Sequence, residues 1–151
     1  MIKHSEVRQL RYSSDQMFNL VADINSYPSF IPWCSNIKIT SKSINKVTNF
    51  DTVEADMQVS FKIFSETFRS RVILNPLSKE IVVEYVTGPF RFLNNKWTFT
   101  PTGNGCSVAF YVEFEFKSRM MQRVIGVVFH QAMRKIVTSF EKRADHLYGP
   151  S

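Results

Sequence analysis

Residues 106–148 read CSVAFYVEFEFKSRMMQRVIGVVFHQAMRKIVTSFEKRADHLY, and the hydrophobic period changes once within them. From Cys106 to Phe116 it is two: Cys106, Val108, Phe110, Val112, Phe114 and Phe116 fall on one face, and Ser107, Tyr111, Glu113 and Glu115 on the other. That is a strand with one dry side. After Ser118, a good N-cap, the spacing becomes helical, with Met121, Ile125, Val128, Ala132, Ile136, Phe140, Ala144 and Leu147 down one stripe. Gly149-Pro150 ends the helix near Tyr148, which makes it roughly 45 Å long at ~1.5 Å per residue.

The rest of the chain supplies what such a helix needs to cover. Residues 5–12 predict a first strand with Val7 and Leu10 inward. Ser13-Ser14-Asp15 then caps a short helix carrying Met17, Phe18, Val21, Ala22 and Ile24, which Pro28 and Pro32 break. From Cys34 to Phe116 the period is two throughout. In 52–63, Val53, Ala55, Met57, Val59, Phe61 and Ile63 share a face, and the phase then flips at Phe64, which predicts a tight reversal or bulge near 62–65. Ile81–Thr87 is a further strand, Gly88-Pro89 turns into 90–100, and Thr102-Gly103-Asn104-Gly105 is a hairpin turn.

The 151 residues therefore read as one domain, 1–151, of the α+β class, with about seven antiparallel strands curled round a long C-terminal helix. Such packing leaves a cavity at one end.

Few chemical motifs are present. No nucleophile elbow, zinc motif or phosphate loop occurs. Gly103-Asn104-Gly105 begins like a dinucleotide fingerprint but joins two strands. His4, His130 and His146 share no ligand spacing, so no metal site is expected and each histidine reads as satisfied or solvated. Glu113 and Glu115 sit on the wet face of their strand as solvated decoration. Cys34 and Cys106 read as two thiols in apolar surroundings rather than a disulfide. No residue set takes the role of nucleophile or base, so the expectation is a protein that is not an enzyme.

What stands out is an excess of rings, fourteen Phe among them. Phe61, Phe68, Tyr85, Trp97, Phe110 and Phe114 fall on inward faces, and Trp33 ends the Pro-rich segment. With Phe30, Met57 and Val59, and with Met121, Ile125 and Val128 from the helix stripe, they form the candidate lining for a flat apolar ligand. For any one of them alone, ordinary core is the simpler reading.

Several segments carry a resemblance. Tyr27-Pro-x-Phe-Ile-Pro-Trp-Cys34, Gly88-Pro-Phe-Arg-x-Leu-x-x-x-Trp97-x-Phe99, Cys106-x-Val-x-Phe-x-Val-x-Phe-Glu-Phe-Lys-Ser118 and the tail Met133…Phe140-Glu-x-Arg-Ala-x-x-Leu-Tyr-Gly149 resemble the coenzyme Q-binding START-like family of the polyketide cyclase/dehydrase superfamily. The resemblance spans essentially the whole chain. It implies a helix-grip fold around an apolar tunnel, and ubiquinone as a bound ligand rather than a catalytic cofactor. It also implies either quinone delivery supporting respiratory electron transfer or, as in bacterial relatives known as ribosome-association toxins, binding to the large ribosomal subunit. Tyr85, Trp97 and Trp33 are the candidate donors to quinone carbonyls.

Charge adds a surface to this picture. Seven of the nineteen cations (Lys117, Arg119, Arg123, Arg134, Lys135, Lys142 and Arg143) stand in 117–143 against Glu141 alone, leaving twelve of each sign elsewhere. A surface evenly coated for DNA is therefore not expected. Met120, Met121, Val124, Val127 and Val128 surround the helix start more broadly than one buried stripe requires. With Lys117, Arg119 and Arg123 beside them, Met120 and Val124 mark a contact for an anionic inner-membrane surface or a ribosome. The N-terminal Met1-Ile2-Lys3-His4-Ser5-Glu6-Val7 has no secretory or presequence character. The expected location is thus the bacterial cytoplasm at the inner membrane, or the matrix side of the mitochondrial inner membrane for a processed chain.

Overall fold

The computed structural model describes residues 2–61 and 64–149. Seven strands, β1 (Ile2–Leu10), β2 (Cys34–Ile44), β3 (Asp51–Phe61), β4 (Phe64–Asn75), β5 (Glu80–Thr87), β6 (Phe90–Thr102) and β7 (Gly105–Phe116), form one antiparallel sheet in the order β1-β7-β6-β5-β4-β3-β2. Two helices, α1 (Ser14–Ala22) and α2 (Arg119–Tyr148), lie against it. The α+β class, the curled sheet and the long last helix are as expected. Each consecutive pair from β2 to β7 is a neighbouring pair in the sheet, so short turns suffice, and only β1 crosses over to join β7.

The local signals act as their chemistry predicts. Ser13 Oγ accepts from the Gln16 amide at 3.1 Å, and the Gln16 side chain accepts from the Ser13 amide at 2.9 Å, closing a capping box on α1. Ser118 Oγ accepts from the Met121 amide at 3.2 Å. Thr102 pairs with Gly105 across a two-residue turn. A side chain is impossible at Gly105, because a Cβ there would lie 2.0 Å from the Leu10 carbonyl oxygen where β1 ends. Pairing of Phe61 with Phe64 accounts for the phase flip, while Lys62 and Ile63 themselves lie outside the described residues.

Four expectations need correction. The first strand starts at Ile2, and Val7 points outward, 62% exposed. Register decides this: Val7 opposes Ala109, whereas His4, Glu6, Arg8 and Leu10 oppose the inward Val112, Phe110, Val108 and Cys106. Opposed residues in an antiparallel pair share a face. Second, α1 stops at Ala22, and Ile24 begins a separate 3₁₀ helix, Ile24–Ser29, that accommodates Pro28. Third, β6 runs to Thr102 rather than 100. Fourth, Leu147 is exposed in the last turn of α2.

The core runs the length of the inner face. Phe18 of α1 meets Phe99 edge-on at 6.0 Å between ring centres, and Phe129 of α2 meets Phe114 at 4.9 Å. Phe140 of α2 packs on Trp97 at 4.9 Å, Tyr27 at 5.4 Å and Phe30 at 5.2 Å. These contacts fix α2 at its middle and C-terminal half. The expected stripe is displaced on the helix surface. Phe129, Val137, Phe140 and Ala144 are fully buried, while Val128, Ala132 and Ile136 remain half-buried.

Candidate functional site: an apolar cavity under the last helix

The half-buried flank of α2 faces a cavity rather than a packed wall. Two adjoining spaces, about 180 Å³ and about 210 Å³, lie between α2 and the sheet. Both are bounded by Ile31, Met57, Phe68, Leu93, Val112, Met133 and Ile136, so they are an inner and an outer lobe of one space. Together they fall in the ~300–1,000 Å³ range of small-molecule sites. The inner lobe reaches Trp97, Phe110 and Phe140; the outer reaches Phe116, Ile125 and Phe129.

Of the candidate lining, Trp33, Val59, Phe61, Phe114, Ile125 and Val128 border the outer lobe, Trp97 and Phe110 the inner, and Met57 and Phe68 both. Three residues lie elsewhere. Phe30 stacks edge-on against Tyr27 and Phe140 and faces a surface groove, with the Arg143 guanidinium 5.3 Å above its ring. Tyr85 packs against Phe90, and its hydroxyl accepts from the Phe90 amide at 3.1 Å, so it braces the Gly88-Pro89 turn. Met121 packs against the core without reaching either lobe. Leu93, Val112, Met133 and Ile31 line the cavity although the sequence reading did not select them. For Val112 the signal was present in the β7 alternation.

At the rim, Trp33 has a left-handed backbone (φ 69°), uncommon for so bulky a residue. Its carbonyl is held by the Ser60 amide at 2.9 Å, and its indole meets Phe61 edge-on at 4.8 Å. The turn thus sets a half-exposed aromatic pair over the outer lobe.

Polarity inside the cavity is sparse. Among the described residues neither lobe is lined by Asp, Glu, His, Lys or Arg. Tyr27 donates its hydroxyl to the Val21 carbonyl, and burial raises its pKa, so it stays neutral. Burial pushes the Cys34 thiol up to about 11, and Cys34 and Cys106 are both free. Ser70, Asn95 and the indole N–H of Trp97 are the remaining polar lining groups of the inner lobe.

Titratable groups cluster instead between β1 and α2, outside the cavity. Two histidines that share no sequence spacing meet there: His4 Nδ1 lies 3.0 Å from His130 Nδ1. His4 Nε2 contacts Glu6 at 2.8 Å, and Arg8 bonds Glu6 at 2.8 Å and Thr138 at 2.9 Å. Burial alone would raise the Glu6 carboxyl, but hydrogen bonds from His4 and Arg8 outweigh it and hold the group below its usual range. This network ties the edge strand to α2 and leaves both histidines partnered. Glu113 and Glu115 sit on the outer sheet face opposite Lys3 and Arg91.

The outer surface of α2 differs from that of the sheet. Several sheet cations pair with acids on neighbouring strands, as Arg69 does with Asp56 at 2.8 Å and Lys96 with Glu80 at 3.4 Å. Lys117, Arg119 and Arg123 are exposed and form no ion pair among the described residues. Beside them Met120 is 63% and Val127 84% exposed, and Val124 also faces outward. The residue after each valine, Ile125 and Val128, lines the outer lobe. The exposed apolar strip and the cavity wall are therefore adjacent faces of one helix segment. Further along, Arg134, Lys135 and Lys142 border a surface groove with Gln131, Thr138 and Ser139. No helix among the described residues is long and apolar enough to cross a membrane.

A curved antiparallel sheet gripping a long C-terminal helix around an apolar cavity is the START-like architecture of lipid- and polyketide-binding domains. The family model for polyketide cyclase/dehydrase and lipid transport matches residues 10–141, and the chain belongs to that family. Among its relatives, ribosome association toxin RatA of Rickettsia prowazekii is 33% identical over 147 residues, covering 95% of this chain and 97% of that protein. Mitochondrial coenzyme Q-binding protein COQ10 homolog B of Xenopus laevis is 32% identical over 154 residues, covering 98% of this chain but 60% of that protein. An 18 kDa protein from Caulobacter crescentus has the same fold at 35% identity, with a TM-score of 0.82 over 99% of this chain and all of that one. An aromatase/cyclase from Streptomyces superimposes with a TM-score of 0.77 over 95% of this chain and 92% of its own, at 13% identity, a likeness of fold alone.

Proposed function

We propose that this protein is a non-catalytic binding module that shelters a ubiquinone-type isoprenoid and presents it at an anionic membrane surface. The observation that carries this reading is the two-lobed apolar cavity whose outer wall, Ile125 and Val128, adjoins the exposed Met120, Val124 and Val127 strip. An isoprenoid tail needs a dry channel, and transfer needs that channel to open where the protein touches lipid. Exposed apolar groups flanked by Lys117, Arg119 and Arg123, which form no ion pair among the described residues, suit such a contact. The relative named for coenzyme Q binding is consistent with it.

The test is organic extraction of the purified protein followed by mass spectrometry, then uptake of added ubiquinone. A protein that carries no quinone and takes none up overturns the proposal. Replacing both Met120 and Val124 by Asp is expected to weaken binding to vesicles of phosphatidylcholine and phosphatidylglycerol while leaving quinone uptake intact.

The basic groove favours a second reading, contact with ribosomal RNA phosphate, which the relatives named ribosome association toxins bring to mind. Its test is co-sedimentation with the large ribosomal subunit at physiological salt. Loss of co-sedimentation on reversing Arg134, Lys135 and Lys142, but not Met120 and Val124, would support it. A wild-type protein that never co-sediments would remove it.

A further inference from the structure

Within the cavity, polar groups occupy one end. The outer lobe has no polar side chain except the rim indole of Trp33 and the protonated thiol of Cys34. The inner lobe holds Ser70, Asn95, Tyr27 and Trp97. Two of these have committed donors: Tyr27 to the Val21 carbonyl, and the Asn95 amide nitrogen to the Tyr111 carbonyl at 2.8 Å. The other two have none. Ser70, 5% exposed, and Trp97, 4% exposed, form no hydrogen bond through the hydroxyl or indole N–H among the described residues. Neither is a sealed orphan, since among the described residues no buried side-chain nitrogen or oxygen is fully enclosed without a partner. Both residues line the inner lobe.

Ser70 pairs with Ala55 on β3, so two small side chains sit together on the cavity floor, between the larger Phe68 and Val72 on the same strand. The β4–β5 register shifts between Arg69 and Ser70, an irregularity of the kind that re-aims a side chain. A buried donor aimed into an apolar hollow is costly unless something accepts from it.

We infer that the inner lobe is the head-group pocket: an oxygen-bearing ring enters first and accepts from Ser70, while the apolar tail runs back through the outer lobe to the Trp33–Phe61 rim. Ser70 is then the residue that distinguishes a carbonyl-bearing ligand from a hydrocarbon of similar length. The inference rests on the proposed quinone-type ligand and adds its orientation. The opposite orientation, with the ring at the rim, would place the oxygens against Cys34 and Trp33.

The experiment compares wild type, Ser70→Ala, Ser70→Thr and Cys34→Ala, with short-chain ubiquinone and hexadecane as probes. Each variant is checked for a native melt. The wild-type complex is expected to show one ubiquinone carbonyl stretch lowered in the infrared by hydrogen bonding. Ser70→Ala should restore that band and weaken ubiquinone binding about 3- to 10-fold. Hexadecane uptake should not change in Ser70→Ala, Ser70→Thr should recover the band, and Cys34→Ala should leave the carbonyl band where it stands in wild type. A carbonyl band and affinity unaffected by Ser70→Ala overturns the assignment to Ser70, and a band moved by Cys34→Ala overturns the orientation, each leaving quinone binding standing. Wild-type protein that binds hexadecane but no ubiquinone overturns both.

Discussion

Ala132→Leu and Ala144→Leu make the same chemical change on the same helix, and the structure predicts opposite signs. Ala132 stands one turn from Val128 and one from Ile136, and all three border the outer lobe of about 210 Å³. Ala144 is fully buried and borders neither lobe. At 132 the three added carbons enter empty apolar space, worth about 2 kcal/mol at ~0.8 kcal/mol per buried methylene. At 144 they enter a filled core, where overpacking costs ~1–3 kcal/mol. Helix propensity is nearly the same for both, because Leu ranks just behind Ala. A domain of this size shifts its Tm by ~2–4 °C per kcal/mol, so Ala132→Leu should melt about 4–8 °C above wild type and Ala144→Leu below it. Thermal denaturation of ligand-free protein followed by circular dichroism reads both, and quinone uptake should fall in Ala132→Leu alone. If Ala132→Leu destabilises as Ala144→Leu does, the outer lobe is packed core. If it stabilises yet binds ubiquinone as wild type does, the tail does not run there.

Three further outcomes are expected. Trp97→Ala removes an indole held edge-on between Phe110 at 4.7 Å and Phe140 at 4.9 Å, and should cost ~3–5 kcal/mol in denaturant unfolding; a loss under ~1 kcal/mol would mean the ring is not part of the packed wall. Glu6 has a carboxyl held below its ordinary value of 4.5, so its contribution to stability is complete above that pH and is lost as pH falls through the lower folded value. Glu6→Gln should therefore flatten the acid limb of stability against pH, and an unaltered limb would refute the assigned network. With its thiol pushed up to about 11, Cys34 should resist iodoacetamide at pH 8 until the protein unfolds, and prompt labelling of native protein would contradict its burial.

Much of the fold is legible in the chain because its signals are local. Alternation in β3 and β7, the Ser13 and Ser118 caps, and the Gly103-Asn104 turn each depend on neighbours a few residues away. The excess of Phe and the concentration of cations in 117–143 are likewise properties of the sequence, and they direct attention to the inner face and to α2.

Other features required contacts between distant residues. Whether Val7 or His4 faces inward depends on the β1–β7 register, which residues 2–10 do not encode by their own polarity. The meeting of His4 with His130 follows from that register. On α2 a stripe drawn at helical spacing was correct to within one residue's rotation, about 100°. That rotation separates the packed Phe129 and Val137 from the cavity-facing Val128 and Ile136, and these from the exposed Val127. An apolar side chain satisfies the pattern equally well against another side chain, an empty lobe or a lipid surface. By itself the sequence determined that this helix is apolar on one side and cationic on the other. Only the tertiary structure, by setting the curvature of the sheet against the bulk of Phe129 and Phe140, decided where the packing stops and the cavity begins.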